Sequence, residues 1–188
     1  MRADGIPFGV TLLAPGGRDA ELASLGRVYQ ANARLTLGGK GLTQPPLAAL
    51  PAIRAEEIAI AVVGAHLSGM ALNGELLALG GRLLKATATA PDYRLFALKG
   101  TSPPKPGMLR VAPGAGSAIE VEVWALSPAA FGSFVAAIPS PLSIGTLRLA
   151  DGFGVKGFLV EAAAVDGARD ISAFGGWRAF MADAVATV

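Results

Sequence analysis

His66 is the only histidine among 188 residues, and the chain has no cysteine. Imidazole is the one side chain whose ordinary pKa lies near neutrality. Proton chemistry near pH 7 therefore falls first to His66, unless a carboxylate or lysine is strongly shifted. It sits in Val62-Val63-Gly64-Ala65-His66-Leu67-Ser68-Gly69-Met70-Ala71-Leu72-Asn73, just after an apolar run at 58–63 that reads as a strand. A strand ending in Gly64-Ala65-His66-Leu67 lets the backbone turn sharply and offers N–H groups to a ligand, as anion-binding nests do. Asn73 falls near the start of the next helix, where it could cap that helix or bind ligand. The competing reading makes this lone histidine a satisfied core or hinge residue.

Two stiff loops and one lysine come next. Ser102-Pro103-Pro104-Lys105-Pro106-Gly107 carries a cation on a rigid turn, either a clamp on a carboxylate or a solvated loop. Ala137-Ile138-Pro139-Ser140-Pro141-Leu142 is rigid enough to position backbone groups, or is purely structural. Lys156, flanked by glycines on a strand, reads as a cation at a pocket mouth or as an ordinary edge lysine. In Phe174-Gly175-Gly176-Trp177-Arg178 the paired glycines would cost a helix roughly 1 kcal/mol each against alanine. That predicts close packing or a helix start there, with Trp177 in the core and Arg178 paired to a carboxylate.

What is absent narrows the class. There is no Walker loop, no Gly-x-Ser-x-Gly elbow and no dinucleotide fingerprint, and no local motif supports a Ser-His-Asp triad. A single histidine without cysteine argues against zinc. Sixteen basic and fourteen acidic residues give a net charge of +2 with no Lys/Arg block, so nucleic acid is not an expected partner. Small anions remain, since they need only one or two cations. The most apolar window, 58–81, is interrupted by His66, Asn73 and Glu75, which argues against a membrane span. The start MRADGIPFG has no signal-peptide pattern, so the chain reads as cytoplasmic.

The elements that must position these residues follow from pattern. A composition of 52% hydrophobic and 16% charged residues describes a globular chain, and 25 glycines with 13 prolines predict many turns. Residues 6–13 read as a strand, 15–17 as a turn, and Asp19 as the cap of a helix to about Ala33, with Leu22, Leu25, Val28 and Tyr29 on one stripe. Residues 36–50 are a Gly/Pro-rich linker, so 1–35 reads as an appendage and 51–188 as the main body. After the strand at 58–63 a short helix is expected at 74–79. Strands at 82–89 and 93–98 are expected to pair through Ala90-Pro91-Asp92, and 108–112 with 118–125 around Pro113-Gly114-Ala115-Gly116. The alternation of Ile119, Val121 and Val123 against Glu120, Glu122 and Trp124 is the clearest period-two signal. Ser127-Pro128 predicts a helix start. Residues 144–149 and 155–161 predict a hairpin, and a last helix is expected from Ile171-Ser172 to about Val185. The fold class is α+β, a small mixed β-barrel with a few short helices.

Several blocks then resemble a known family: Val63-Gly64-Ala65-His66-Leu67-Ser68-Gly69 with Leu72-Asn73, Tyr93-Arg94-Leu95-Phe96-Ala97-Leu98, Pro103-Pro104-Lys105-Pro106-Gly107, Pro139-Ser140-Pro141-Leu142-Ser143-Ile144-Gly145, Leu149-Ala150-Asp151-Gly152, Val155-Lys156-Gly157-Phe158 and Phe174-Gly175-Gly176-Trp177-Arg178. In this order, over about 58–182, they resemble the C-terminal domain of allophanate hydrolase. Asp4-Gly5-Ile6-Pro7-Phe8-Gly9-Val10-Thr11-Leu12-Leu13-Ala14-Pro15 resembles the last strand of an amidase-signature domain, and the helix after it that domain's final helix. The stretch carrying the amidase Ser–Ser–Lys triad has no counterpart here. The amidase reaction is therefore not expected, and the chain reads as a short relative or a piece of a longer reading frame.

The resemblance implies a γ-glutamyl cyclotransferase-like fold. Gly64-Ala65-His66-Leu67 stands where that superfamily has Tyr-Gly-(Ser/Thr)-Leu, and Ile138-Pro139-Ser140-Pro141 where it has a catalytic glutamate. That departure argues against cyclotransferase activity. What is implied instead is decarboxylation of N-carboxycarbamate, the product of an amidase domain acting on allophanate in urea and s-triazine breakdown. His66 would be the proton donor. Lys105, Lys156 or Arg94 would hold the second carboxylate, unranked, and backbone N–H groups of Gly64, Ala65 and Leu67 would assist, with Asn73, Pro139 and Ser140 at the site. No metal or organic cofactor is implied. The alternatives are a non-catalytic accessory or dimerisation module for an amidase encoded elsewhere, and a hydrolase or transferase for a different amide. The expected partners are a small anionic substrate, an amidase domain or subunit, and a second copy of the chain.

Overall fold

We describe the computed structural model over residues 9–14, 19–33, 36, 41–43 and 53–186. The chain divides into two units, Met1–Leu50 and Pro51–Val188. In the first, helix α1 spans Asp19–Ala33, where the capping and stripe pattern put it. Residues 9–14 form no strand, contrary to the expectation for 6–13. Extended chain becomes a strand only by pairing, and these residues pair with nothing described. Residues 6–8, the turn at 15–17, the Asp19 side chain and most of the 36–50 stretch lie outside the described residues.

The second unit holds β1 (Ile58–Val62), α2 (Asn73–Ala78), β2 (Arg82–Ala88), β3 (Tyr93–Ala97), β4 (Pro106–Arg110), β5 (Glu120–Leu126), α3 (Pro128–Ala136), β6 (Leu142–Arg148), β7 (Gly154–Val160), β8 (Arg169–Asp170) and α4 (Trp177–Ala186). It is a mixed α+β fold with short helices, as expected. The strands divide into a sheet ordered β2-β5-β1-β7-β6 and a second ordered β4-β3-β8, so they do not close into one barrel. β1 is the middle strand, antiparallel to β5 and parallel to β7. Both its neighbours hold it in register, and its buried end delivers the His66 loop.

Two expected hairpins are not formed. β2 pairs with β5 and β3 with β4, so 82–89 and 93–98 belong to different sheets. The residues read as a turn are instead a crossing held by buried polar groups. Thr89 Oγ1 accepts from Ile119 N at 3.0 Å and donates to Ala90 O at 2.9 Å. Asp92, wholly buried, accepts from Arg148 Nη2 at 2.9 Å. Likewise 108–112 and 118–125 do not pair. Ser117 N donates to Tyr93 O at 2.8 Å, and Gly116 packs so tightly on the Tyr93 backbone that a Cβ would collide with it. The chain thus passes over the end of β3 and enters the larger sheet. The β6–β7 hairpin forms as expected, with Asp151 Oδ1 accepting from Phe153 N at 3.1 Å in its turn. Ser127 caps α3, its Oγ accepting from Ala130 N at 3.2 Å.

The last helix begins later than its pattern suggested. Ser172–Phe174 is one 3-10 turn, Gly175 takes φ +70°, and α4 starts at Trp177. A Cβ on Gly176 would lie 2.8 Å from Glu120 Cβ, so the paired glycines provide both the break and the close approach. Trp177 is 2% exposed and sits in the core with Tyr93, Leu95, Ile119 and Ile171. Strand β5 is interior, and both of its faces are covered from Val121 onward. Its polar-looking alternation therefore does not mark a wet face: Glu122 and Trp124 are each 3% exposed.

Candidate active site

The loop after β1 is bent by Gly64, whose φ of +90° is a conformation that side chains resist. A Cβ there would also collide with the Pro106 ring. Gly64→Ala is expected to lower unfolding free energy by about 2 kcal/mol, from left-handed strain and the displaced proline, in a denaturant titration. The loop closes on itself: Leu67 N donates to Gly64 O at 3.0 Å and Leu72 N to Ala65 O at 2.8 Å. Asn73 Nδ2 donates to His66 O at 3.0 Å. Asn73 thus holds the loop and does not cap α2, which has no side-chain cap bond.

Behind the loop lies a buried carboxylate. Glu122 Oε2 accepts from Ser68 N at 2.8 Å, Ser68 Oγ at 2.9 Å and Trp124 Nε1 at 3.1 Å. Its Oε1 accepts from Arg178 Nη2 at 2.7 Å. The same Nη2 donates to Ser68 O at 2.8 Å, and Nη1 donates to Glu120 Oε1 at 2.7 Å. Charge-assisted bonds of this kind are the strong ones. They fix the loop from the side away from the pocket.

On the open side, the His66 ring stacks on Phe158 (5.5 Å, 16°) and meets the edge of Phe134 (5.0 Å, 78°). Its Nε2 lies 2.9 Å from Glu75 Oε2, on the first turn of α2. These groups line a pocket of about 250 Å³ with Val63, Ala65, Lys105, Pro106, Ile138, Pro139 and Leu142, room for a small molecule. Burial holds the imidazole below its ordinary pKa; the Glu75 carboxylate opposes this, and the Lys105 cation pushes it further down. At neutral pH the ring is therefore mostly neutral.

Of the residues singled out on sequence, Ala65, His66, Lys105 and Pro139 line this pocket. Gly64 is its hinge, and Leu67 is wholly buried beneath it. Ser140 adjoins Pro139 but is not a lining residue. Arg94 lies apart, on the smaller sheet, its Nε 3.4 Å from Ala115 O and its Nη1 4.0 Å from Asp170 Oδ2. Lys156 is on β7 outside the pocket lining and donates to Thr146 Oγ1 at 3.1 Å. Sequence reasoning missed Glu75, which it read only as a break in an apolar window. It also missed Phe134, Phe158 and the loading of Glu122. The available signal for Glu75 was its place in the first turn of the helix that follows the His66 loop. Among the described residues no group of three acidic, histidine or cysteine side chains could hold a metal ion, and no helix is long and apolar enough to cross a membrane.

In this domain of mixed fold, a glycine-hinged loop presents one imidazole to a small, aromatic-walled pocket. Residues 58–182 match the family model of the allophanate hydrolase C-terminal domain, and the chain belongs to that family. It is 34% identical to the urea amidolyase of Saccharomyces cerevisiae over 96% of this chain and 10% of that one. The chain thus spans about a tenth of the length of this curated relative. Allophanate hydrolase of Kluyveromyces lactis superposes with TM-score 0.66 at 31% identity, over 87% of this chain and 28% of that one. A uropathogenic E. coli-specific protein superposes with TM-score 0.62 at 34% identity, over 67% of this chain and 96% of that one.

Proposed function

We propose that the domain at 51–188 decarboxylates N-carboxycarbamate supplied by an amidase, and that residues 1–35 correspond to the end of such an amidase domain. The observation that carries this reading is the chain's one histidine, held in the wall of a small pocket beside a single lysine. Loss of CO2 from a carbamate leaves an electron pair on nitrogen, and that nitrogen needs a proton. His66 supplies it, Lys105 holds the carboxylate that stays, and the aromatic walls exclude water. Membership of the allophanate hydrolase C-terminal family supports the substrate class.

The test generates the short-lived substrate in place. Purified chain is added to a competent amidase domain turning over allophanate, and ammonia and CO2 are followed against time. Faster second-stage CO2 release supports the reading; unchanged release with folded chain refutes it. Lys105→Met is expected to raise the half-saturating concentration by about 10- to 100-fold, the worth of one hydrogen bond to a charged group, with a smaller effect on the maximal rate.

A second reading rests on α1, where Leu25, Val28 and Tyr29 are each about half exposed. It makes the chain an accessory module that docks on an amidase domain or on its own copy, with no turnover of its own. The same assay separates the two.

A further inference from the structure

Two nitrogens of one ring face different surroundings. Nε2 lies 2.9 Å from Glu75 Oε2, whereas Nδ1 has no partner among the described residues. An ionised carboxylate only accepts hydrogen bonds, so a neutral imidazole at this distance must present an N–H to it. We propose that Glu75 is a positioning residue: it accepts the His66 Nε2–H, fixes that tautomer, and thereby makes Nδ1 the nitrogen that meets the ligand.

A consequence follows for the proton. In this tautomer Nδ1 carries a lone pair and cannot donate. The charged groups that face the ring are Glu75 from α2 and Lys105 from the loop before β4; α3 and β7 contribute only Phe134 and Phe158. With a neutral imidazole these charges cancel, a poor match for a dianion. A small dicarboxylate completes the match by drawing one proton from solvent onto Nδ1. This half rests on the decarboxylation proposed above. The step balances: the C–N bond breaks, its electron pair stays on nitrogen, CO2 leaves, and the Nδ1 proton moves to that nitrogen. The dianion becomes carbamate and His66 returns to neutral. Glu75 is 56% exposed, so water moderates its hold on the ring.

Because the chain has a single histidine, its ring nitrogens can be read in long-range proton–nitrogen NMR spectra without assignment. The expected result above the His66 titration is the Nε2–H tautomer with no detectable Nδ1–H form, and a detectable Nδ1–H fraction in Glu75→Leu, where only the intrinsic preference of the imidazole remains. In Glu75→Gln the titration of His66 is expected to move to lower pH, because the neighbouring charge is gone. In the coupled assay, second-stage CO2 release in Glu75→Gln is expected to fall by about tenfold at neutral pH with KM little changed. Its alkaline fall-off should also move to lower pH. An Nδ1–H tautomer in the parent, a tautomer ratio unchanged in Glu75→Leu, or a titration unmoved in Glu75→Gln overturns the proposal. Malonate, a stable dicarboxylate of matching length, is the probe for proton loading. It is expected to raise the His66 titration and to take up close to one proton, measured as buffer-dependent heat of binding. If malonate moves neither while the tautomer results hold, the dicarboxylate half is overturned and the role of Glu75 stands.

Discussion

Replacing His66 by phenylalanine is expected to cut second-stage CO2 release by about 100- to 10,000-fold, the usual contribution of a positioned general acid, while the chain stays folded. Phenylalanine retains a flat ring against Phe134 and Phe158 and removes only the titratable nitrogens. His66→Ala should lose the same activity. It should also lose a kilocalorie or two of stability, because the ring is a wall of the pocket and its aromatic contacts go with it. The comparison separates proton transfer from packing: if both variants retain parental release, His66 is not the acid.

The largest stability effect is expected at Glu122. Removing one member of a buried, hydrogen-bonded ion pair typically costs about 3–5 kcal/mol, because the partner charge is stranded. Glu122→Ala takes away one of the two carboxylates that Arg178 holds, leaving its Nη2 only Ser68 O, and leaves Ser68 N, Ser68 Oγ and Trp124 Nε1 without their acceptor. Its unfolding midpoint in urea should drop accordingly. The double variant Glu122→Met with Arg178→Met removes both charges and should recover part of the loss, a non-additivity that a double-mutant cycle measures directly. A Glu122→Ala chain within 1 kcal/mol of the parent would show that the buried pair does not hold the loop.

Local features of the fold were legible in the sequence, whereas long-range ones were not. The Ser127-Pro128 cap, the Ala150-Asp151-Gly152 hairpin and the strand before His66 each follow from a few adjacent residues, and all formed as expected. The pairings of β2 with β5 and of β3 with β4 did not follow, because the turn-like residues Ala90-Pro91-Asp92 and Pro113-Gly114-Ala115-Gly116 suggest hairpins that would join β2 to β3 and β4 to β5 instead. Between β2 and β3 the chain instead crosses to the other sheet, tied there by the Thr89 Oγ1 bonds and by Arg148 on Asp92 Oδ2, contacts with residues distant in sequence. The same limit hid Glu122. In sequence, a glutamate alternating with valines reads as a solvent face, and only the arrival of Arg178, 56 residues on, makes that face dry. His66 stood out by being alone. Glu75, nine residues away and ordinary in composition, became a candidate only when α2 turned it back toward the ring.

The loop from Gly64 to Leu72 is tied at both ends and from both sides, by its own backbone, by Asn73 and by Glu122 with Arg178. Its conformational entropy is therefore settled when the domain folds and not when a ligand arrives. A visiting molecule meets in this loop a wall already tied in one arrangement. On the side of the pocket that Ala65 and His66 form, the ligand therefore has to fit a wall already in place.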